Sequence, residues 1–254
     1  MNDNVSMLKP TASNPATSPT LTDTLVASVT AKSAEVLTLL KNAIAELKTI
    51  SFANSFGAED MVLTDIILKN QLTIEIFSLD TGRLPTETYD LMAEVEKHYN
   101  TKLNVYFPQA QTVEFYVKAK GINAFYESID LRKECCHMRK VEPLQRALKG
   151  IKAWITGMRA AQATTRASLP VREFDEANKL EKFNPLSDWS ETEVWAYIRI
   201  FNVPYNTLHD QFYPSIGCAP CTRAVAIGED VRAGRWWWED PANKECGLHV
   251  KDLH

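Results

Sequence analysis

The chain of 254 residues lacks several features that mark whole classes of protein. It contains no run of about eighteen apolar residues, and its N-terminus does not follow the basic, apolar and small-residue order of a secretory signal. We therefore expect neither membrane insertion nor export, and predict a cytoplasmic protein. The formal net charge of -4 argues against a broad nucleic-acid-binding surface, although local basic clusters could hold a small anion.

Cysteine is also scarce, with five residues in the whole chain. A cytoplasmic compartment keeps thiols reduced, so these cysteines are not expected to form structural disulfides. Their spacing is uneven: Cys135 and Cys136 are adjacent, Cys218 and Cys221 form a C-x-x-C pair, and Cys246 stands alone in the segment KECGLH. This pattern suggests four metal ligands and one reactive thiol.

Composition divides the chain into three parts. Residues 1–20 are rich in Thr, Ser, Pro and Asn, which predicts a disordered polar tail. Residues 21–241 carry the apolar periodicity of one α/β domain, and residues 242–254 form a C-terminal segment that we expect to be mobile. A nucleophilic side chain on such a segment could react with two different molecules, one after the other.

Strand-like runs alternate with helix-like runs, which is typical of a parallel sheet flanked by helices. The predicted strands are residues 49–53, 73–78, 103–107 and 153–156. The predicted helices are a first one starting at Val36, then residues 59–69, 86–99, 132–148 and 191–201. The region after the last helix has few regular elements, which indicates stabilisation by something other than an apolar core, such as a metal cluster.

Three loops follow predicted strands, at residues 54–60, 79–83 and 157–166. Parallel sheets bind ligands at the carboxyl ends of their strands, so we expect these loops to share one site. Ser55 and Gly57 could present backbone N–H groups to an anionic oxygen, or could simply form a strand-to-helix turn capped by Ser55. In the third loop, the guanidinium groups of Arg159 and Arg166 suit bidentate binding of phosphate or sulfate.

The four paired cysteines can hold either a zinc ion or an iron–sulfur cluster. Zinc sites typically use two C-x-x-C pairs, whereas Cys135 and Cys136 are directly adjacent. Neighbouring helical residues diverge by about 100° around the axis, so their binding to one centre requires unusual local geometry. We favour a four-iron cluster, whose separate corners each need one ligand, and keep zinc, or no metal, as alternatives.

Basic residues surround the cysteines in sequence. Such a run is often only a solvated surface, but beside thiolates it could offset negative charge and attract an anionic substrate. The residues are Arg132, Lys133, Arg139, Lys140, Arg223, Arg232 and Arg235.

Seven motifs in fixed order resemble the assimilatory adenylyl-sulfate reductases, in the family that includes phosphoadenylyl-sulfate reductases. The resemblance covers about residues 36–250. The motifs read SFGAED, FSLDTGRL, KECCHMRKVEPL, WITGMRAAQ, NPLSDW, GCAPCTRA and ECGLH. The loops also resemble the adenine-nucleotide α-hydrolase-like fold, in which ATP pyrophosphatases carry S-G-G-x-D-S. The loop S-F-G-A-E-D lacks the second glycine and the terminal serine, which disfavours ATP cleavage. A further departure is Asn54, where related sequences often have serine.

The resemblance implies thioredoxin-dependent reduction of adenylyl sulfate to sulfite and AMP, in sulfate assimilation and cysteine biosynthesis. It implies that Cys246 attacks sulfur and forms a thiosulfonate, and that one 4Fe-4S cluster is bound by Cys135, Cys136, Cys218 and Cys221. The implied catalytic contacts to the sulfate or phosphate come from Lys140, Arg232, Arg235 and His249. The implied substrate pocket consists of Ser55, Phe56, Gly57, Leu79, Gly157, Arg159 and Arg166.

Three alternatives remain at this point. The enzyme could reduce the 3'-phosphorylated nucleotide instead, since the association of four cluster cysteines with adenylyl sulfate does not follow from ligand physics. The chain could be a redox-sensing iron–sulfur module with Cys246 as its switch. It could also be a tRNA-thiolating enzyme, which the altered first loop and the acidic net charge disfavour. Exposed edge strands could pair copies of the chain into a homo-oligomer, without fixing the number of copies.

Overall fold

A six-stranded sheet organises the protein, whose structure is a computed structural model that describes residues 15–162 and 169–240. The strands are β1 (Ile50–Ala53), β2 (Glu75–Leu79), β3 (Asn104–Tyr106), β4 (Ala153–Ile155), β5 (Arg172–Asp175) and β6 (Leu180–Phe183). The helices are α1 (Asp23–Leu47), α2 (Ala58–Lys69), α3 (Thr86–His98), α4 (Ala110–Lys120), α5 (Ile129–Cys136), α6 (Glu142–Ala147) and α7 (Glu191–Phe201).

The strand order in the sheet is β3-β2-β1-β4-β6-β5. All neighbours are parallel except β5, which pairs antiparallel with β6 at the edge. The central strand β1 places Phe52 between Ile76 of β2 and Ile155 of β4. The predicted parallel sheet flanked by helices is therefore confirmed. The loops after β1, β2 and β4 lie at the same end of the sheet, where these strands have their carboxyl ends.

Apolar side chains fill both faces of the sheet, because alternate residues of a strand point to opposite sides. On β4, Ala153 and Ile155 join the main core with residues of α1, α2, α3 and α7. Trp154 joins a second cluster that includes Leu144 of α6. Within the described residues, no helix combines the length and apolar character needed to cross a membrane.

The N-terminal part of the fold differs from the sequence-based expectation. Helix α1 begins at Asp23 rather than at Val36, and the hydroxyl of Thr22 caps it by accepting the N–H of Leu25. Residues 1–14 lie outside the described residues, but residues 15–20 of the predicted tail belong to the fold. The side chain of Thr17 is buried and donates a hydrogen bond to Asp210 at 2.8 Å.

The sequence also missed α4 and the β5–β6 hairpin, whereas helix α7 matches its predicted bounds. Ser190 and Glu193 form a capping box at the start of α7, and Asn202 ends it in a left-handed conformation. Beyond α7, residues 202–240 contain few regular elements, as the sequence predicted. These are the short 3₁₀ turns Thr207–Gln211 and Ala219–Cys221 and an isolated β-bridge between Thr222 and Arg235.

Candidate functional site

A cleft of about 420 Å³ opens at the carboxyl ends of β1, β2 and β4. It lies where the three loops were expected to meet. Its lining brings together residues from these loops and basic residues from the region of the cysteines. The site residues from sequence that line it are Ser55, Gly57, Leu79, Lys140, Gly157, Arg159, Arg232 and Arg235.

The first loop is closed by Asp60, which lies in the first turn of α2. Oδ2 of Asp60 accepts hydrogen bonds from the backbone N–H and the hydroxyl of Ser55, each at 2.6 Å. The carboxylate also accepts the backbone N–H of Gly157 in the third loop. A carboxylate of the chain thus accepts the N–H of Ser55, which the sequence offered to an external anion.

Close packing at Asp60 explains why the third loop begins with glycine. A Cβ atom at position 157 would overlap Oδ1 of Asp60, so only Gly157 allows this approach. Burial raises the pKa of Asp60 to about 6, and the negative charge of Glu59 adds to the rise, whereas the hydrogen bonds from Ser55 and Gly157 lower it. The first and third loops are therefore joined through a buried, titratable carboxyl group.

Phe56 differs from its sequence-based assignment to the substrate pocket. Its backbone is left-handed, with φ at 62°, and its ring is 1% exposed and packs in the main apolar core. Its N–H donates to Oδ1 of Asn54 at 2.7 Å, while Nδ2 of Asn54 donates to the hydroxyl of Thr64. Phe56 therefore shapes the loop from within the core, and Asn54 supports it.

Arg159 lines the cleft, but its guanidinium also differs from the expected oxyanion ligand. Its Nε and Nη2 atoms both lie 2.8 Å from Oε1 of Glu59, and Nη1 donates to the carbonyl of Trp189 at 3.3 Å. Both side chains of the ion pair are largely buried. Arg159 therefore ties the third loop to the start of α2, because its charge is already paired.

The second loop connects the cleft to the cysteines. Thr81 lines the cleft, and its Oγ1 lies 3.3 Å from Sγ of Cys218. The carbonyl of Arg83 accepts the N–H of Ala219 at 2.8 Å, and Nη1 of Arg139 donates to the carbonyl of Thr81 at 2.6 Å. A loop that lines the cleft thus contacts both cysteine-bearing segments.

Both cysteine pairs lie where the backbone changes its conformation. Cys135 and Cys136 end helix α5, and the chain continues as a π-helical segment, His137–Val141, before α6. This confirms the predicted helical region and supplies the unusual local geometry expected beside adjacent cysteines. Cys218 and Cys221 bracket a 3₁₀ turn in which the N–H of Cys221 donates to the carbonyl of Cys218. Within the part of the chain that the structure describes, none of these four cysteines forms a disulfide.

Thiols of the two segments influence one another electrostatically. The pKa of Cys221 is raised to about 12, chiefly by burial and also by Cys218 and Cys135, whereas Lys140 and Arg235 act to lower it. Lys140 and Arg235 also line the cleft, together with the loops after β1, β2 and β4. Among residues 15–162 and 169–240, no three His, Cys, Asp or Glu side chains are arranged to hold a metal ion.

Sequence reasoning missed Asp60 and Glu59 as parts of the site. The sequence did indicate that Asp60 is unusual, because it replaces the terminal serine of the S-G-G-x-D-S pattern. Its hydrogen bond to Gly157, 97 positions away, required the structure. Three predicted site residues, Arg166, Cys246 and His249, lie outside the described residues.

Known proteins are similar to this chain both in fold and in amino-acid sequence. The family model described as phosphoadenosine phosphosulfate reductase domain matches residues 49–224. The adenosine 5'-phosphosulfate reductase of Allochromatium vinosum is 59% identical over 222 residues, covering 87% of each chain. A solved phosphoadenylyl-sulfate reductase from Candida auris is 31% identical, with a TM-score of 0.65 over 82% of this chain and 99% of its own.

A more distant solved structure shows the fold alone. FMN adenylyltransferase from Candida glabrata is 14% identical, with a TM-score of 0.55 over 94% of this chain and 82% of its own. The predicted adenine-nucleotide α-hydrolase-like architecture is thereby confirmed.

Proposed function

The chain belongs to the phosphoadenosine phosphosulfate reductase family, and we propose that it reduces adenylyl sulfate to sulfite and AMP in sulfate assimilation. One observation carries the proposal. Lys140, Arg232 and Arg235 line the same cleft as the loops after β1, β2 and β4. A nucleotide in those loops would therefore have its anionic end beside fixed cations.

The reaction would begin with attack by the thiolate of Cys246 on the sulfur of adenylyl sulfate. A sulfur–sulfur bond forms, and the bond between sulfur and the bridging oxygen breaks. AMP leaves with that oxygen and its electron pair, and Cys246 is left as a thiosulfonate. A thiolate of reduced thioredoxin then attacks Sγ of Cys246 and releases sulfite, and its second thiol frees Cys246. The two thioredoxin thiols supply the two electrons.

Each group of cleft residues has a role in this scheme. Ser55, Gly57, Leu79 and Gly157 form the nucleotide end of the cleft, to which Arg166 would add. Lys140, Arg232, Arg235 and His249 would stabilise the charge that moves onto the AMP phosphate as the bond to sulfur breaks. A free cysteine is mostly protonated at neutral pH, and the same cations would favour the thiolate form of Cys246 when it attacks the substrate.

The cysteines of the two segments would hold an iron–sulfur cluster, whose separate corners each take one thiolate. Cys135, Cys136, Cys218 and Cys221 form no disulfide within the described part of the chain, thiols of both segments influence one another, and Lys140 and Arg235 provide compensating positive charge. When bound, a 4Fe-4S cluster would brace the irregular region and shape the electrostatic field at the sulfate, without donating electrons. Formation of sulfite in a single turnover without reduced thiols would contradict this last statement.

Mass spectrometry can test reaction, substrate and nucleophile together. Enzyme mixed with adenylyl sulfate, without thioredoxin, should gain one sulfonate on Cys246 and release one equivalent of AMP. Cys246→Ser should give neither product. Absence of the adduct on the native enzyme would refute the proposal.

The second candidate is reduction of the 3'-phosphorylated nucleotide. The likeness to the solved phosphoadenylyl-sulfate reductase favours it, although the adenosine 5'-phosphosulfate reductase of Allochromatium vinosum has the higher identity. Comparing kcat/KM for the two nucleotides decides between the candidates. We expect the higher value for adenylyl sulfate. Thioredoxin and glutaredoxin can be compared as donors in the same assay.

A further inference from the structure

Trp236 is held in a strained and buried position beside the cleft. Its φ of 41° lies in the left-handed region, which a bulky side chain rarely adopts, and the residue is 1% exposed. Such strain persists only where surrounding contacts impose it, and it is often found at functional sites. The contacts around Trp236 therefore indicate what its conformation achieves.

Two guanidinium groups stack on the Trp236 ring. The Cζ atoms of Arg132 and Arg235 each lie 4.7 Å from the ring centroid. Arg132 belongs to helix α5, three residues before Cys135, whereas Arg235 lines the cleft. The ring thus connects the helix that carries the first two cysteines to a cation of the proposed sulfate site.

Glu239 compensates the charge of Arg132. Its carboxylate accepts Nη2 of Arg132 at 2.7 Å and Nε at 2.9 Å, and the two side chains are 4% and 1% exposed. Such a bidentate contact fixes the guanidinium plane as well as its charge. The N–H of Glu239 also donates to the carbonyl of Trp236, which closes the turn from 236 to 239.

The guanidinium group of Arg235 also packs closely against residues 215–217. Its Nη1 lies 3.3 Å from both Oγ of Ser215 and the carbonyl of Ile216. A Cβ atom at Gly217 would overlap the guanidinium, so glycine is required there. Arg235 is therefore confined between a glycine turn and the Trp236 ring.

We propose that Trp236 and the Arg132–Glu239 ion pair are positioning residues that fix Arg235 for the sulfo group of the substrate. The inference rests on the proposed function, since it takes Arg235 to contact that group. Without Glu239, the positive charge of Arg132 would remain buried against the ring and would oppose a second cation on the same ring. Arg235 would then be displaced while the nucleotide loops remained in place.

The experiment measures the binding of two ligands by calorimetry to full-length, iron-loaded protein carrying Cys246→Ser, which prevents turnover. The ligands are adenylyl sulfate and adenosine, which lacks both anionic groups. Adding Glu239→Gln should weaken the binding of adenylyl sulfate at least about tenfold. The affinity for adenosine should stay within about twofold, and the iron content should not change. Trp236→Leu should give the same selective loss. The matched control is Glu46→Gln, which breaks the exposed bidentate pair with Arg172 and should change neither ligand.

Arg132→Met combined with Glu239→Gln removes both charges, and serves if Glu239→Gln does not fold. It should show the same selective loss, because the ring loses its guanidinium neighbour on one side. Equal weakening of both ligands, loss of iron, or unchanged binding would each overturn the inference. If the Cys246→Ser parent does not bind adenylyl sulfate more tightly than adenosine, the proposed function itself fails.

Discussion

The carboxylate of Asp60 accepts both the backbone N–H and the hydroxyl of Ser55, at 2.6 Å each. This pair closes the loop after β1, and the same carboxylate reaches the N–H of Gly157 in the loop after β4. Burial nevertheless penalises its negative charge and raises its pKa to about 6. The contact between the loops after β1 and β4 therefore depends on a buried carboxyl group whose pKa is raised to about 6.

Replacing Asp60 with asparagine should reveal this titration in the stability of the protein. A pKa above the unfolded value means that the folded state binds the proton more tightly, so the contribution to stability is present at low pH and is lost as pH rises through about 6. The free energy of unfolding of the native protein, relative to Asp60→Asn, should fall by about 1 kcal/mol between pH 5 and pH 7.5. Denaturant unfolding at several pH values measures the difference, and a constant difference would contradict the assignment.

Gly157→Ala should disrupt the joint between the first and third loops. The added Cβ would overlap Oδ1 of Asp60, and the backbone of Asp60 lies close behind it. We expect kcat/KM for adenylyl sulfate to fall about 100-fold, since misplacement of a binding loop by about 1 Å has effects of this size. Lys102→Ala is the control, because Lys102 forms an exposed ion pair with Glu96 away from the cleft and should keep the native kcat/KM. Equal activity of the two variants would contradict the packing argument.

Local sequence patterns predicted much of the fold. The bounds of α7 were predictable because its capping box and its apolar spacing lie within one short segment. The start of α1 was missed, because its first half is mostly small and polar and its buried residues Val29 and Val36 are seven positions apart. Strand β5 was missed because the edge segment Arg172–Asp175 is short and largely charged.

Site residues were predictable where the type of side chain and its motif identify the role. They were less predictable where a contact with a residue distant in sequence decides the role. The cysteines, Lys140 and Arg235 were identified from motifs, and the structure brings Cys135, Cys218 and Cys221 near those cations. Arg159 has the chemistry of an oxyanion ligand, but Glu59, 100 positions away, neutralises it. Phe56 adjoins two loop residues, yet a left-handed backbone and the apolar core turn its ring inward. Such long-range pairings and backbone reversals are not encoded in local spacing.

Cys218→Ser should lose bound iron, because it removes one of the four proposed thiolate ligands. Cys218 is 8% exposed and contacts Thr81, so a water molecule would not readily replace the missing sulfur. Iron per chain should fall by at least about half, whereas Cys246→Ser should keep the full content. Iron and sulfide assays on anaerobically purified protein provide the measurement. Full iron content in Cys218→Ser would remove Cys218 from the ligand set.

Lys140→Ala tests whether a cation that lines the cleft acts on the chemical step. Lys140 also lowers the pKa of Cys221, so its charge acts on the cysteine region as well as on the cleft. If it stabilises charge on the departing AMP phosphate, the rate of Cys246 sulfonation in a single turnover should fall about 100- to 1,000-fold. Adenosine affinity and iron content should stay within about twofold of the native protein. Lys102→Ala is the control, because Lys102 forms an exposed ion pair with Glu96 away from the cleft, and it should leave the rate unchanged. A normal sulfonation rate in Lys140→Ala would show that the reaction does not depend on this cation, and iron loss would show that Lys140 acts by supporting the cysteine region.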